Sequence, residues 1–478
     1  MKNYYVLIFL LAGLFFLPAC EKLIDIKPDS AITAENYWNA EGDVTGYLTG
    51  IYTKYRDVMN NTYYLEDRGD AFSPGLESGM SSAWQQNLNP QNAPNWLDFY
   101  NVVHHCNLVL KYAPDISFTQ EADKSRVLAQ AKFIRAHIYF TLLRSWGDVP
   151  VITVPTESAD MPLPARTKAP EVAAFILKDI EEAISAFPED NIRDKDLASK
   201  QAAYALKADV LLWKAKVLGG GAADLTEAIT AVDKASAGLS LEEDFSKIFS
   251  TDNRKGKEVL LALHFAKDEK SDQYSKQLKP RDLFVQAALN KNDIPYAVSG
   301  ARSQYAPSDK LQQAFKVNAG DKRANASFIT AVGANNAVIG VFDNKMRGTL
   351  YPDNRYYDND IIVYRLGELI LFKAEALAAL GRTEDAVTEL DKIRARAGTG
   401  SYKGAMDKAT VEREILNERF RELYLELKRW PDLLRFHFEG VIDVRAEVPN
   451  MNATIPLFFP IPKAQIDINS NLIQTEGY

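Results

Sequence analysis

The chain has 478 residues, 46% of them hydrophobic and 25% charged, ordinary globular usage with length for one large domain or two. Its net charge of −8 gives no electrostatic reason to expect nucleic acid or an anionic membrane surface as partner. The only cysteines are Cys20 and Cys106, so a disulfide framework is excluded if Cys20 is modified.

In chain order, Lys2 precedes an uncharged, largely apolar run from Tyr4 to Leu17. That run is shorter than the roughly 20 residues of a spanning helix and fits the core of a signal peptide. The next residues, Leu17-Pro18-Ala19-Cys20, resemble the bacterial lipobox, in which a small residue precedes the cysteine that is cleaved and lipidated. Residues 1–19 are therefore read as a signal peptide, Cys20 as the lipidation site, and 20–40 as a lipidated, extended tether punctuated by Pro28. Several acyl chains, palmitate among them, hold a protein on a membrane at about 0.8 kcal/mol per buried methylene. No later apolar stretch reaches spanning length.

Helical periodicity follows. Residues 41–58 form a first predicted helix, and 95–112 a second on Trp96, Phe99, Tyr100, Val103, Asn107 and Leu110. The third carries Leu128, Ala131, Arg135, Ile138 and Leu142 and stops at Gly147-Asp148-Val149-Pro150. Further helices are predicted at 170–187, 200–218, 224–237, 361–381, 383–397 and 408–430. Two similar helix pairs are broken at Gly219-Gly220-Gly221 and at Gly381, and in the second Ala374 and Ala386 are spaced as small residues are in a tetratricopeptide unit. The stretches 60–95 and 240–360 lack this period and contain short strand-like pieces such as Val259–Leu263. The expectation is one domain over 41–478, a helical scaffold with two long irregular insertions, where binding residues usually sit.

Several segments together resemble the SusD/RagB outer-membrane lipoproteins of Bacteroidota. They are Asp25-Ile26-Lys27-Pro28 behind the cysteine, Ala131 to Ala136 continuing to Gly147-Asp148-Val149-Pro150, and Asp360 to Leu366 with Ala374-Glu375-Ala376. Ile393 to Gly398, Glu418 to Leu423 with Trp430 and Asp432 to Arg435, and the C-terminal Pro460-Ile461-Pro462 to Tyr478 complete the order. The resemblance implies a mainly α, SusD-like fold with tetratricopeptide-like helix pairs and loop insertions containing short strands. It also implies a lipid-anchored protein of the outer membrane, facing the cell exterior. Such a protein captures a glycan and delivers it to a partner TonB-dependent, SusC-like β-barrel transporter, closing over it as a lid. Oligopeptide capture in the same architecture, a protein-binding helical-repeat adaptor and a surface glycosidase are the rival readings.

A glycan site needs aromatic platforms beside groups that bond hydroxyls. The loops corresponding to the family's sites supply Tyr63, Asp67, Arg68, Trp84, Gln85 and Asn87, and then Tyr274, Tyr296, Arg302 and Tyr305. Arg135, on an apolar stripe, calls for a buried carboxylate partner, expected to be Glu375. Glu418, Arg419, Glu422 and Arg435 read as helix-face ion pairs, and Cys106 as a small core residue. His104 and His105 are adjacent and diverge on a helix, and there is no HExxH, GxSxG, P-loop or GxGxxG. No metal, cofactor or catalytic residue is expected.

Overall fold

The computed structural model describes residues 37–158 and 160–478. The signal peptide, Cys20 and most of the tether fall outside the described residues. Helices α1 (Glu41–Met59), α2 (Leu97–Tyr112), α3 (Glu121–Trp146), α4 (Ala169–Ala186), α5 (Lys200–Val217) and α6 (Ala222–Ala235) form the first part of the scaffold. Each packs on its chain neighbour, α1 on α2 through to α5 on α6. The third, α3, is buried on every side from Ala129 to Trp146, so it is the axis around which the others stack. It ends where Gly147 takes φ +72°, the left-handed region in which glycine carries no side-chain penalty.

The second part brings α7 (Asp309–Lys316), α8 (Leu366–Ala379), α9 (Thr383–Ala397), α10 (Lys408–Glu422) and α11 (Arg429–Phe438). Helix α8 packs on α9, on α10 and back on α6, which joins the two tetratricopeptide-like pairs. Ala374 and Ala386 are fully buried, as the close approach of paired helices requires. The strands are short: β1 (Phe72–Pro74) pairs with β3 (Tyr305–Pro307), β2 (Val259–Leu263) with β6 (Ile361–Arg365), and β4 (Phe328–Val332) with β5 (Val338–Asp343). Among the described residues, no helix is long and apolar enough to cross a membrane.

Two predicted helices need correction. Residues 361–365 form strand β6, buried at every position and antiparallel to β2, and α8 starts only at Leu366. Ile361-Ile362-Val363 is β-branched and finds an equally apolar partner in Val259–Leu263, so pairing wins over helix. The helix predicted over 408–430 stops at Glu422, because Leu425 and Leu427 both adopt φ +62° before α11 begins.

The expected Arg135–Glu375 pair does not form. Arg135 donates to both oxygens of Asp179 on α4, each at 2.7 Å, and to Asn107 Oδ1 at 2.6 Å. Glu375 accepts from Arg435 at 2.8 and 2.9 Å and from Lys216 at 3.3 Å. The requirement for a buried partner was right, and the nearer helix supplies it. Breaking one side strands the other charge in the core. Arg135→Leu and Asp179→Leu are each expected to cost about 3 kcal/mol, and the double variant less than the sum. Urea denaturation of the three variants gives the coupling; strictly additive losses contradict the pairing.

The residues read as helix-face ion pairs are not on a solvated face. Glu418, Arg419, Glu422 and Arg435 are all 1% exposed or less. Around them, Arg365 meets Glu258 and Glu422 at 2.7 Å and Glu426 at 2.7 Å, while Arg323 meets Glu418 at 2.6 Å and Glu422 at 2.8 Å. Burial alone would raise Glu422, yet Arg396, Arg365 and Arg323 hold it well below the usual carboxylate range. Gly367 is part of this arrangement, since a Cβ there would lie 2.4 Å from Arg365 Nη1 and 2.9 Å from Glu258 and Glu422 oxygens.

Candidate functional site

The two irregular insertions meet along a seam. Strand β1 runs antiparallel to β3 with Ser73 opposite Ala306, and the chain keeps bonding beyond the strand ends. Gly75 N donates to Gln304 O at 2.9 Å, and Glu77 N to Ser303 O at 2.8 Å. A Cβ at Gly75 would fall 2.3 Å from Ser303 O, so glycine permits this approach. Glu77 returns the tie by accepting from Ser303 N at 3.0 Å and pairing with Arg281 at 2.8 Å. Below the seam Phe72 and Tyr305 stack, with centroids 5.2 Å apart.

The proposed ligand residues divide along this seam. Four are internal. Tyr305 is buried and donates its hydroxyl to Asp67 Oδ2 at 2.8 Å, where Ser81 also donates at 2.7 Å. Burial raises Asp67, and those hydroxyl donors partly offset it. Arg68 lies over the Trp430 ring at 4.6 Å and donates to Gln86 and to the Leu457 and Pro456 carbonyls. Tyr274 is buried, its hydroxyl on Leu425 O at 2.9 Å. These four build the floor and do not face solvent.

Three others are half-buried. Tyr63 stacks on Phe459 at 6.0 Å. Tyr296 packs against the small cluster of Val285, Ala288, Ile294, Ala331 and Phe342. Trp84 donates its ring N–H to Phe72 O at 2.9 Å, which fixes the indole plane at the seam. Gln85, Asn87 and Arg302 are exposed. Gln85 donates to Met80 O at 2.7 Å and accepts from Asn87 at 3.1 Å. Arg302 has no side-chain hydrogen bond or ion pair among the described residues, and its Nη2 lies beside Gly79. Trp84, Gln85, Asn87 and Arg302 therefore mark one open ridge, with Tyr296 set apart from it.

Sequence reasoning missed Glu77, Ser81 and Gln86, which hold the ridge in shape. Gln86 is buried at φ +55° and exchanges hydrogen bonds with Arg68 at 3.0 Å both ways. Its neighbour Gln85 looks identical in sequence, and only the turn decides which amide turns inward. Hollows lie elsewhere: about 560 Å³ along Tyr204, Lys207, Thr226 and Lys234, and about 450 Å³ beside Trp146, Phe438, Phe458 and Ile473. His104 and His105 are engaged separately, by Thr156 N at 3.1 Å and the Tyr47 hydroxyl at 2.6 Å. Cys106 is buried, which pushes its thiol up to about 12.

The segment that carries Asp67 and Arg68 is pinned at Glu66, with a consequence for pH. Burial pushes this carboxyl up to about 8; one oxygen accepts from Lys428 N at 3.0 Å and the other is unpartnered. Folded protein thus keeps a proton that the unfolded chain releases above about 4.5. The unfolded state binds fewer protons across that window, so stability falls as pH rises towards 8. Glu66→Gln is expected to flatten the fall. Urea midpoints at pH 5 and pH 8 check it: the variant gains on wild type at the higher pH, and an unchanged gap contradicts the assignment.

Comparison with known proteins is consistent along the chain. Residues 226–478 match the family described as "SusD family", and residues 22–212 match one described as "Starch-binding associating with outer membrane". The chain is similar to SusD-like protein P38 of Formosa agariphila, 26% identical over 475 residues, with 91% of each chain covered. The solved structure of NanU from B. fragilis has a TM-score of 0.82 at 29% identity and covers 95% of this chain and 100% of its own. A solved laminarin binding SusD-like protein has a TM-score of 0.75 at 23% identity, covering 92% and 100%.

Proposed function

The chain belongs to the SusD family, and from that premise we propose that it is a surface lipoprotein that captures an oligo- or polysaccharide without cleaving it. It delivers the glycan to a SusC-like TonB-dependent transporter in the outer membrane, over which it closes as a lid. The observation that carries the reading is the ridge on the β1–β3 seam. Two insertions that are remote in sequence are bonded there into one platform, presenting the Trp84 indole, the Gln85 and Asn87 amides and the exposed Arg302 guanidinium. An aromatic face suits the C–H side of a sugar ring, and amides and guanidinium suit its hydroxyls. The binding names of the starch-binding family and of the laminarin binding relative point the same way. Lipidation at Cys20 keeps the binder at high effective concentration beside its transporter.

Isothermal titration against neutral and acidic polysaccharides and oligopeptides, with an assay for released reducing ends, tests this. Saturable binding of one glycan class without new reducing ends is expected. Binding of peptides alone, or turnover of any glycan, contradicts it.

A further inference from the structure

Three side chains from separate parts of the chain converge away from the ridge. His264 follows β2 directly, Asp360 precedes β6, and Asp196 lies in the loop between α4 and α5. A ring nitrogen of His264 and one carboxylate oxygen of each aspartate all lie within 4.8 Å of one another. Among the described residues, Asp196 Oδ1, His264 Nδ1 and Asp360 Oδ2 are buried atoms without a hydrogen-bond partner. His264 Nδ1 lies 3.2 Å from Asp360 Oδ1. The Asp360 side chain is only 5% exposed. A buried polar atom left unsatisfied costs about 1–3 kcal/mol, and each of the three clustered residues carries one, so a shared ligand would offset that cost.

We propose that Asp196, His264 and Asp360 form a binding site for a divalent first-row transition-metal ion, with Zn²⁺ as the reference. One imidazole and two carboxylates are a donor set for such ions, and they leave a fourth position for water. Donors of a tetrahedral ion at about 2 Å sit roughly 3.3 Å apart, so the cluster closes by no more than about 1.5 Å on binding. The His264 side chain is 38% exposed, which supplies the entry side.

The surroundings orient the donors. Arg254 bonds Asp360 Oδ1 at 2.7 Å, and Lys255 meets Asp196 Oδ2 at 2.8 Å, so each cation takes one oxygen of its aspartate and leaves the other without a hydrogen-bond partner among the described residues. Asp194 and Asp358 stand beside these cations, which keeps carboxylates in excess. Two backbone amides tie the three segments together: Ala262 N donates to Lys195 O at 2.8 Å, and Phe265 N to the Asp360 carboxylate at 2.9 Å. A bound ion would clamp the α4–α5 loop, the exit of β2 and the entry to β6 together.

The test uses the full chain after treatment with a chelator, with Co²⁺ as the visible probe. One Co²⁺ per chain should give ligand-field absorption that Zn²⁺ displaces, and the thermal midpoint should rise with either ion. His264→Ala and Asp196→Asn should each weaken Co²⁺ affinity at least about tenfold while keeping the wild-type midpoint in chelator. Absence of saturable binding at micromolar Co²⁺, or full retention in both variants, overturns the site. Should a variant fail to fold, Zn²⁺ protection of His264 from diethyl pyrocarbonate in the wild-type chain reads the same contact, and no protection overturns it.

Discussion

Arg365→Leu is expected to lower the unfolding free energy by about 5 kcal/mol, the upper end for breaking a buried ion network. The guanidinium is fully buried, and all three of its nitrogens are used: by Glu258, by both oxygens of Glu426, and by Glu422 through its carboxylate and its backbone carbonyl. Leucine would leave Arg396, Arg323 and Lys345 to neutralise carboxylates that now need a fourth cation. Lysine keeps the charge but loses the planar fork, so Arg365→Lys should fall between leucine and wild type. Urea denaturation measures both, and a loss below about 1 kcal/mol for leucine contradicts the network. The same cluster explains why the chain turns sharply after Glu422. Glu426 can reach Arg365 and Lys345 only from the turn in which Leu425 and Leu427 are left-handed.

The second large effect concerns binding. Trp84→Ala combined with Arg302→Ala is expected to reduce glycan affinity about a thousandfold, roughly 4 kcal/mol. Trp84 offers the only ring whose plane is fixed at the seam by a backbone bond among the four ridge residues. Arg302 is exposed and unpaired among the described residues, so its removal leaves no buried carboxylate behind. The thermal midpoint of an Arg302→Ala single variant should therefore stay near wild type. A double variant that keeps wild-type affinity shows that the glycan binds elsewhere than the ridge.

What was legible in the sequence follows from range. Local periodicity announced α1 to α6 and α9, and the small residues Ala374 and Ala386 announced a close helix pair. Where a long-range partner decides, local reading failed. Ile361–Arg365 is helix-compatible until Val259–Leu263 pairs with it, and α10 continues on paper until Glu426 is drawn back to Arg365. Arg135 announced a partner but not its identity, because Asp179 and Glu375 are equally acidic in sequence and differ only in packing.

The site was half legible for the same reason. Asp67, Arg68, Tyr274 and Tyr305 have the chemistry of a sugar site, yet the fold spends it on floor contacts. Trp84, Gln85, Asn87 and Arg302 remain outside. The cluster of Asp196, His264 and Asp360 had no sequence signal at all, since its members lie on three segments brought together only by the sheet and the α4–α5 loop.

Hydrogen–deuterium exchange with and without a saturating glycan from the titration panel shows whether one ligand spans the β1–β3 seam. Slower exchange at 76–87 and 300–306 together is the predicted result, since one ligand would bridge both sides of the seam. Unchanged exchange in both segments, with protection instead along the α5–α6 groove, would contradict it.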